Sequence, residues 1–326
     1  MPELPEVEVV RAGLEPAVTD ALITGVEIFD DRSLRRHDPA LGDFESLATG
    51  ARITAAARRG KFLWLPLQAR HAAAPSDAPA GDPPTGLAIV AHLGMSGQVL
   101  LRTPGEPNEP LLRIRLSLEH PLHGELALHF VDQRIFGSMA IDRLQPTGDG
   151  HAAGYSGPGL APGAGAANGV PGSSLIPSQV AHIGRDPLDP FFSAPDFYRA
   201  LSRSRSGIKR VLLDQKVVSG IGNIYADEAL YEARVHFDQP AASLSDVTAR
   251  RLLAAVRAIL LRALGEGGTS FDAQYVNVNG QSGYFSHSLN AYGQHGRPCP
   301  RCGTELVRTK FMNRSSHYCP RCQRLR

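Results

Sequence analysis

The placement of its cysteines constrains this chain more than any other feature. All four fall in one short C-terminal stretch, as Cys299-Pro-Arg-Cys302 and Cys319-Pro-Arg-Cys322, with sixteen residues between the pairs. Paired thiolates at this spacing match the four-cysteine zinc pattern, in which each knuckle supplies two ligands and the segment between them forms a hairpin. Two disulfides are the alternative, and a reducing compartment disfavours them. Four protein ligands leave no open coordination position, so one structural Zn2+ per chain is expected. Such an ion contributes on the order of 10 kcal/mol to a segment too small to fold alone.

Upstream of the cysteines the apolar period changes once. Val7, Val10 and Leu14 recur at helical spacing, with Pro5 in the first turn and Glu6 and Glu8 near the positive end. Short runs at Leu22–Phe29, Arg52–Ala56, Phe62–Leu67, Leu87–Leu93, Leu111–Leu118, Glu125–Val131 and Ile135–Ile141 then read as strands of a sandwich. Beyond them Asp196–Ser202, Ile208–Leu213, Ile224–Ala233 and Ser245–Leu264 read as helices, the last with Val256, Ile259, Leu260, Ala263 and Leu264 on one stripe. The expected class is α+β. An N-terminal helix and β-sandwich domain spans 1–145, with a loop insertion at 69–86. A Pro/Gly/Ala-rich linker follows at 146–180, then a helical domain at 181–288 and a zinc hairpin at 289–326.

Charge is informative through its distribution. The 326 residues carry a formal charge of only +2. From Arg297 to Arg326, however, Glu305 stands alone against eight Lys or Arg residues, and Asp214 alone against six from Arg199 to Lys216. A C-terminal half of this kind suits phosphates. The acidic N-terminus lacks an apolar signal core, and no apolar run approaches the roughly 20 residues of a membrane helix. A cytoplasmic chain, free of membrane, is expected.

The opening Met1-Pro2-Glu3-Leu4-Pro5-Glu6-Val7-Glu8 carries chemistry as well as helix signals. Removal of Met1 would leave a secondary α-amine titrating near about 8, much of it neutral at pH 7, beside a cluster of carboxylates. A neutral amine attacks an electrophilic sugar carbon and forms an iminium. Taken by itself, the segment also suits any amphipathic helix.

MPELPEVE resembles the opening of the formamidopyrimidine-DNA glycosylases, bifunctional base-excision enzymes of the formamidopyrimidine/endonuclease VIII superfamily, and the rest of the chain agrees in motif order. The stretch from Lys209 through GIGNIYADEAL to Leu230 resembles the family's helix-two-turn-helix module. The resemblance implies Pro2 as nucleophile, Glu3 as general acid, Glu6 as orienting carboxylate and Lys61, in ArgArgGlyLysPheLeu, as the hairpin lysine at the damaged nucleotide. It also implies phosphate contacts by Lys209, Asn223 and the zinc-hairpin Arg314. Met95 in HisLeuGlyMetSerGly, with Arg134 and Phe136 in AspGlnArgIlePheGly, resembles the residues that fill the hole left by a flipped base. Asn223 is separately readable as the cap of the helix it begins.

Two departures stand out: Gln133 and Ile135 replace residues of the usual AspProArgArgPheGly, and Asp272 stands where some members are basic. Thr269 and Ser270 are candidates for contact with the lesion edge. The implied activity is excision of oxidised purines (8-oxoguanine and formamidopyrimidines) from damaged double-stranded DNA, followed by β,δ-elimination, by a monomer without nucleotide cofactor. An endonuclease VIII-type enzyme for oxidised pyrimidines and a non-catalytic zinc-dependent DNA binder are the competing readings.

Overall fold

The computed structural model describes residues 2–69, 84–154, 174–269, 278 and 283–326. Met1, Ser270, Asp272 and most of the 69–86 and 146–174 stretches lie outside these residues. Contacts divide the chain into two units. The first holds Pro2, the described residues of Glu6–His182 and Val278; the second holds Glu3–Pro5, the described residues of Ile183–Phe271, and Gly283–Arg326.

Helix α1 (Leu4–Val18) buries Val7, Val10, Leu14 and Val18 in the first unit. The strands of that unit are β1 (Leu22–Ile28), β2 (Arg52–Ile53), β3 (Ala57–Arg59), β4 (Phe62–Gln68), β5 (Pro84–His92), β6 (Gly97–Arg102), β7 (Leu112–His120), β8 (Gly124–Asp132), β9 (Ser138–Pro146) and β10 (Leu175–Pro177), with the short helix α2 (Phe44–Ala48) between β1 and β2. All pair antiparallel along one path, β10-β9-β5-β4-β2-β1-β7-β8-β6, with β3 against β4. Inward residues from both halves of this path, such as Leu65, Ile89 and Ile141 on one and Ile114, Leu116 and Phe130 on the other, share a single core with α1. The alternation of buried and half-buried positions along β7 is the period-2 pattern of a sheet with one dry face.

In the second unit α3 (Ala194–Arg203), α4 (Ile208–Leu213), α5 (Asn223–Ala233) and α6 (Asp246–Gly265) pack around Leu212, Ile221, Tyr225, Leu230, Leu252, Val256 and Leu260. Serine caps start two of them: Ser193 accepts from the Asp196 amide at 3.2 Å and Ser245 from the Thr248 amide at 3.3 Å. α6 stops where Gly267 and Gly268 take φ of 76° and 83°, with the Gly268 N–H returning to the Ala263 carbonyl. The chain ends in the hairpin β11 (Val307–Phe311) and β12 (Arg314–Tyr318).

Candidate active site

In the first unit a buried ionic cluster ties α1 to the β3–β4 hairpin. Glu8 bonds Arg11 at 2.9 Å and Arg58 at 2.8 Å, and the side chains of both arginines are almost wholly inaccessible. Arg11 also reaches Glu15 and the Ala56 carbonyl, while Arg58 donates to the carbonyl of Gly60. Gly60, at φ 57°, makes the tight turn that ends in Lys61. Three charges without water hold only when mutually paired, so this cluster fixes the hairpin on the helix. Pro2 and Glu6 at the start of the chain are buried.

Lys61 belongs to a cationic surround that includes Arg35 and Arg36. Burial first, and then the charges of Arg36, Lys61 and Arg35, push the His92 imidazole down to about 4. The His92 ring meets Phe62 in a tilted contact, centroids 4.7 Å apart, and accepts from the Gly94 amide at 3.2 Å through Nδ1.

The same unit brings together the two loops bearing Met95, Arg134 and Phe136. A Cβ on Gly94 would lie 2.3 Å from the Phe136 carbonyl carbon, so the two backbones are in direct contact and Gly94, at φ 62°, cannot be enlarged. Asp132, fully buried, accepts from Ser96 Oγ at 2.5 Å, from the Arg134 amide at 3.1 Å and from the Gly137 amide at 2.6 Å. The backbone turns inward and the side chains point out: Met95 is 40% and Phe136 52% exposed, and Arg134 is exposed. Large apolar side chains left in water on a braced loop are what a wedge requires.

In the second unit Glu3 is 2% exposed. Its carboxylate accepts the backbone N–H groups of Gly222 at 2.6 Å, Ile224 at 3.0 Å and Tyr225 at 3.4 Å. This corrects the reading of Asn223 as a helix cap. Asn223 is the first residue of α5, and its amide side chain donates instead to the Ser315 carbonyl at 3.1 Å. Glu3 is therefore the capping carboxylate, and the orphan donors and positive end of the helix stabilise its charge.

Lys209, expected at a phosphate, is fully buried here. Its ammonium bonds Asp227 at 2.6 Å, Ser316 Oγ at 2.8 Å and the Ser315 carbonyl at 3.1 Å. Asp227 in turn accepts the His317 amide at 2.9 Å. Glu228, next along α5, accepts the amides of Asn290, Ala291 and Tyr292 between 2.8 and 3.0 Å, and burial pushes its carboxyl up. α5 thus carries the zinc hairpin on successive carboxylates and presents the exposed Arg314 beside Ser315. Thr269 is buried just beyond α6, and Ser270 lies outside the described residues.

The four cysteine Sγ atoms lie within 4.8 Å of one another, with Cys302 at 3.5 Å from both Cys319 and Cys322. Zn–S bonds of about 2.3 Å in a tetrahedron place sulfurs roughly 3.8 Å apart, so the donor set fits zinc. The Cys322 amide points to Cys319 Sγ at 3.4 Å, and Tyr231 Oη lies 3.3 Å from Cys299 Sγ; these contacts orient the ligands.

Arg11, Arg35, Arg58 and Asp227 carry no motif that marks them in advance as site-builders. Glu8 lay inside the opening motif without a role, and His92 served only to begin another.

A helix-capping buried carboxylate, exposed apolar side chains on braced loops and a four-cysteine hairpin thus occur in one chain, and comparison with known proteins gives the family. The chain matches the formamidopyrimidine-DNA glycosylase N-terminal domain over residues 1–139, the H2TH domain of the same enzymes over 183–274, and the zinc finger found in FPG and IleRS over 296–325. A formamidopyrimidine-DNA glycosylase of Leifsonia xyli is 61% identical, with all of both chains covered. The crystal structure of the MutM (Fpg) protein of Thermus thermophilus superposes with a TM-score of 0.73 at 34% identity, over 100% of each chain. A Lactococcus lactis FPG mutant in complex with Fapy-dG-containing DNA gives 0.75 at 26% identity, covering 99% of this chain and 100% of that one. The chain belongs to the formamidopyrimidine-DNA glycosylase family. It is a base-excision DNA glycosylase with lyase activity at abasic sites and one structural zinc.

Proposed function

We propose that this enzyme binds damaged double-stranded DNA, extrudes oxidised purines (8-oxoguanine and formamidopyrimidines) and excises them through the Pro2 amine. The observation that carries this reading is Glu3: a buried carboxylate, adjacent to Pro2 in the chain, anchored by the amides that open α5. Support for the purine branch comes from the Fapy-dG complex of the Lactococcus relative.

The chemistry follows from charge development. The Pro2 nitrogen bonds C1′ as the glycosidic bond breaks, and the base departs with the electron pair and takes up a proton. The Glu3 carboxylate takes up the proton that the Pro2 amine releases, delivers it to O4′ as the sugar ring opens, and returns to the anion that the Gly222 and Ile224 amides stabilise. The resulting iminium acidifies C2′. Loss of that proton expels the 3′ phosphate, a second elimination expels the 5′ phosphate, and water releases Pro2 from the sugar remnant. Lys61 holds the nucleotide's phosphate, Glu6 orients the amine or a water, and Met95, Arg134 and Phe136 fill the vacated stack. Arg314 and Asn223 serve the DNA backbone, while Lys209 positions the hairpin that presents Arg314. Thr269 and Ser270 contact the lesion edge. Domain boundaries near 180 and 288 and a monomeric, cytoplasmic enzyme complete the proposal.

Borohydride trapping on a duplex with one 8-oxoguanine opposite cytosine, with peptide mapping of the adduct, is the test. The expected result is a covalent product on Pro2 with Met1 absent. Trapping only on an oxidised pyrimidine moves the enzyme to the endonuclease VIII branch, and failure to trap on abasic DNA removes Pro2 as nucleophile.

A further inference from the structure

Arg35 has no part in the chemistry just described, yet it holds the loop that does the wedging. It follows a 3-10 turn, Asp31–Leu34, whose start is anchored by Asp30, which accepts the Arg32 amide and pairs with Arg113 of β7 at 3.0 Å. From that base the Arg35 guanidinium reaches about a hundred residues along the chain. It donates to the Ile135 carbonyl at 2.7 Å, the Gly137 carbonyl at 2.8 Å and the Phe136 carbonyl between them. Arg113 adds a bond to the Asp132 carbonyl at 2.8 Å. Amides of the same loop are gathered from the other side by the Asp132 carboxylate.

Three consecutive carbonyls converge on one planar cation because the loop is bent unusually. Ile135 sits at φ 55°, a left-handed conformation that a β-branched residue adopts only when its surroundings enforce it. A guanidinium fork meets all three carbonyls with several donors at fixed angles, which a point-like ammonium does not.

We propose that Arg35 is a positioning residue for the void-filling loop: it holds Arg134 and Phe136 preformed for insertion, so that DNA binding does not have to order them. The inference rests on the wedge reading of Phe136 given above. A loop ordered only on binding loses backbone freedom at that step, on the order of tenfold in rate for each residue or so newly fixed.

The test uses the full-length zinc enzyme with Arg35→Met, which keeps an apolar stem and removes the donors, and Arg35→Lys, which keeps the charge but not the fork. Single-turnover excision of 8-oxoguanine from duplex DNA is compared with strand cleavage at a preformed abasic site in single-stranded DNA, where no stack needs filling. A 2-aminopurine beside the lesion reports insertion. Arg35→Met is expected to slow duplex excision and the 2-aminopurine signal about tenfold, to leave single-strand cleavage within about twofold, and to add nothing further in combination with Phe136→Ala; Arg35→Lys should fall between. Duplex excision at the normal rate in Arg35→Met, with Phe136→Ala impaired, overturns the role of Arg35 and leaves the wedge intact. Normal rates in both overturn the wedge and the clamp together. Equal loss on both substrates makes Arg35 a general structural residue and also overturns the proposal.

Discussion

Gly222→Ala isolates the anchoring of Glu3 without touching a reacting group. Gly222 has φ −123° and ψ −158°, which an L-residue adopts without strain, so conformational freedom is not why glycine stands there. Space is. A Cβ at this position would lie 2.3 Å from both the carboxyl carbon and Oε1 of Glu3. Ordinary contact needs about 3.4 Å, so the carboxylate must retreat by roughly 1 Å. Displacement on that scale carries the 2.6 and 3.0 Å bonds from Gly222 and Ile224 beyond hydrogen-bonding range.

The loss to folding is that of a helix cap, about 1–2 kcal/mol, because a flexible side chain rather than backbone gives way. The loss to excision is larger: a misplacement of about 1 Å costs on the order of a hundredfold, or about 2.7 kcal/mol of transition-state stabilisation. Single-turnover excision on an 8-oxoguanine duplex, alongside urea unfolding, reads both quantities. Gly265→Ala, at the end of α6 with open space around it, is the control. A folded Gly222→Ala enzyme that excises within about twofold of the normal rate refutes the argument that these amides set the position of Glu3.

Glu8→Ala leaves two inaccessible guanidiniums without their shared carboxylate, and removal of one partner of a buried pair costs about 3–5 kcal/mol; a loss below about 1 kcal/mol in denaturant unfolding would contradict the cluster as drawn. His92, with its folded-state value near 4, stays neutral through pH 5–7. Because this folded value lies below the unfolded value of about 6.5, the unfolded chain takes up the proton first on acidification, and stability falls between about pH 6.5 and 4. An NMR titration of the His92 ring with a midpoint near 6.5 would exclude that environment.

Elements with long periodic patterns were legible from the residues alone. Val7, Val10 and Leu14 identify α1, and the broad stripe from Val256 to Leu264 identifies α6, because a helix must bury one face. The zinc ligands were equally legible, since the spacing itself encodes the geometry. β10 has three residues, too few for a period to register, and β6 begins at a glycine and runs Val99-Leu100-Leu101 without alternation. The description of 146–180 as a linker missed that Leu175–Pro177 pairs with β9. Interactions distant in the chain were beyond reach for a different reason. The capping carboxylate of α5 lies at Glu3, so the local sequence offered Asn223 in its place, and the carbonyls held by Arg35 carry no side-chain signature. Lys209 reads as a phosphate contact from its motif, because its pairing with Asp227, eighteen residues on, has no signature in the sequence.

The burial of Lys209 alters how this protein's attraction to a polyanion should be counted. A cation neutralised inside the fold carries no mobile anion atmosphere, so it frees no DNA counterions when the complex forms. If the proposed DNA contacts hold, the slope of affinity against salt should register water-facing charges such as Arg314 and Arg134 while passing over Lys209, whose side chain is wholly enclosed with Asp227. A count of basic residues in the motifs overstates the ionic sensitivity of binding, and Lys209 adds shape to the zinc hairpin while adding almost nothing to its long-range field.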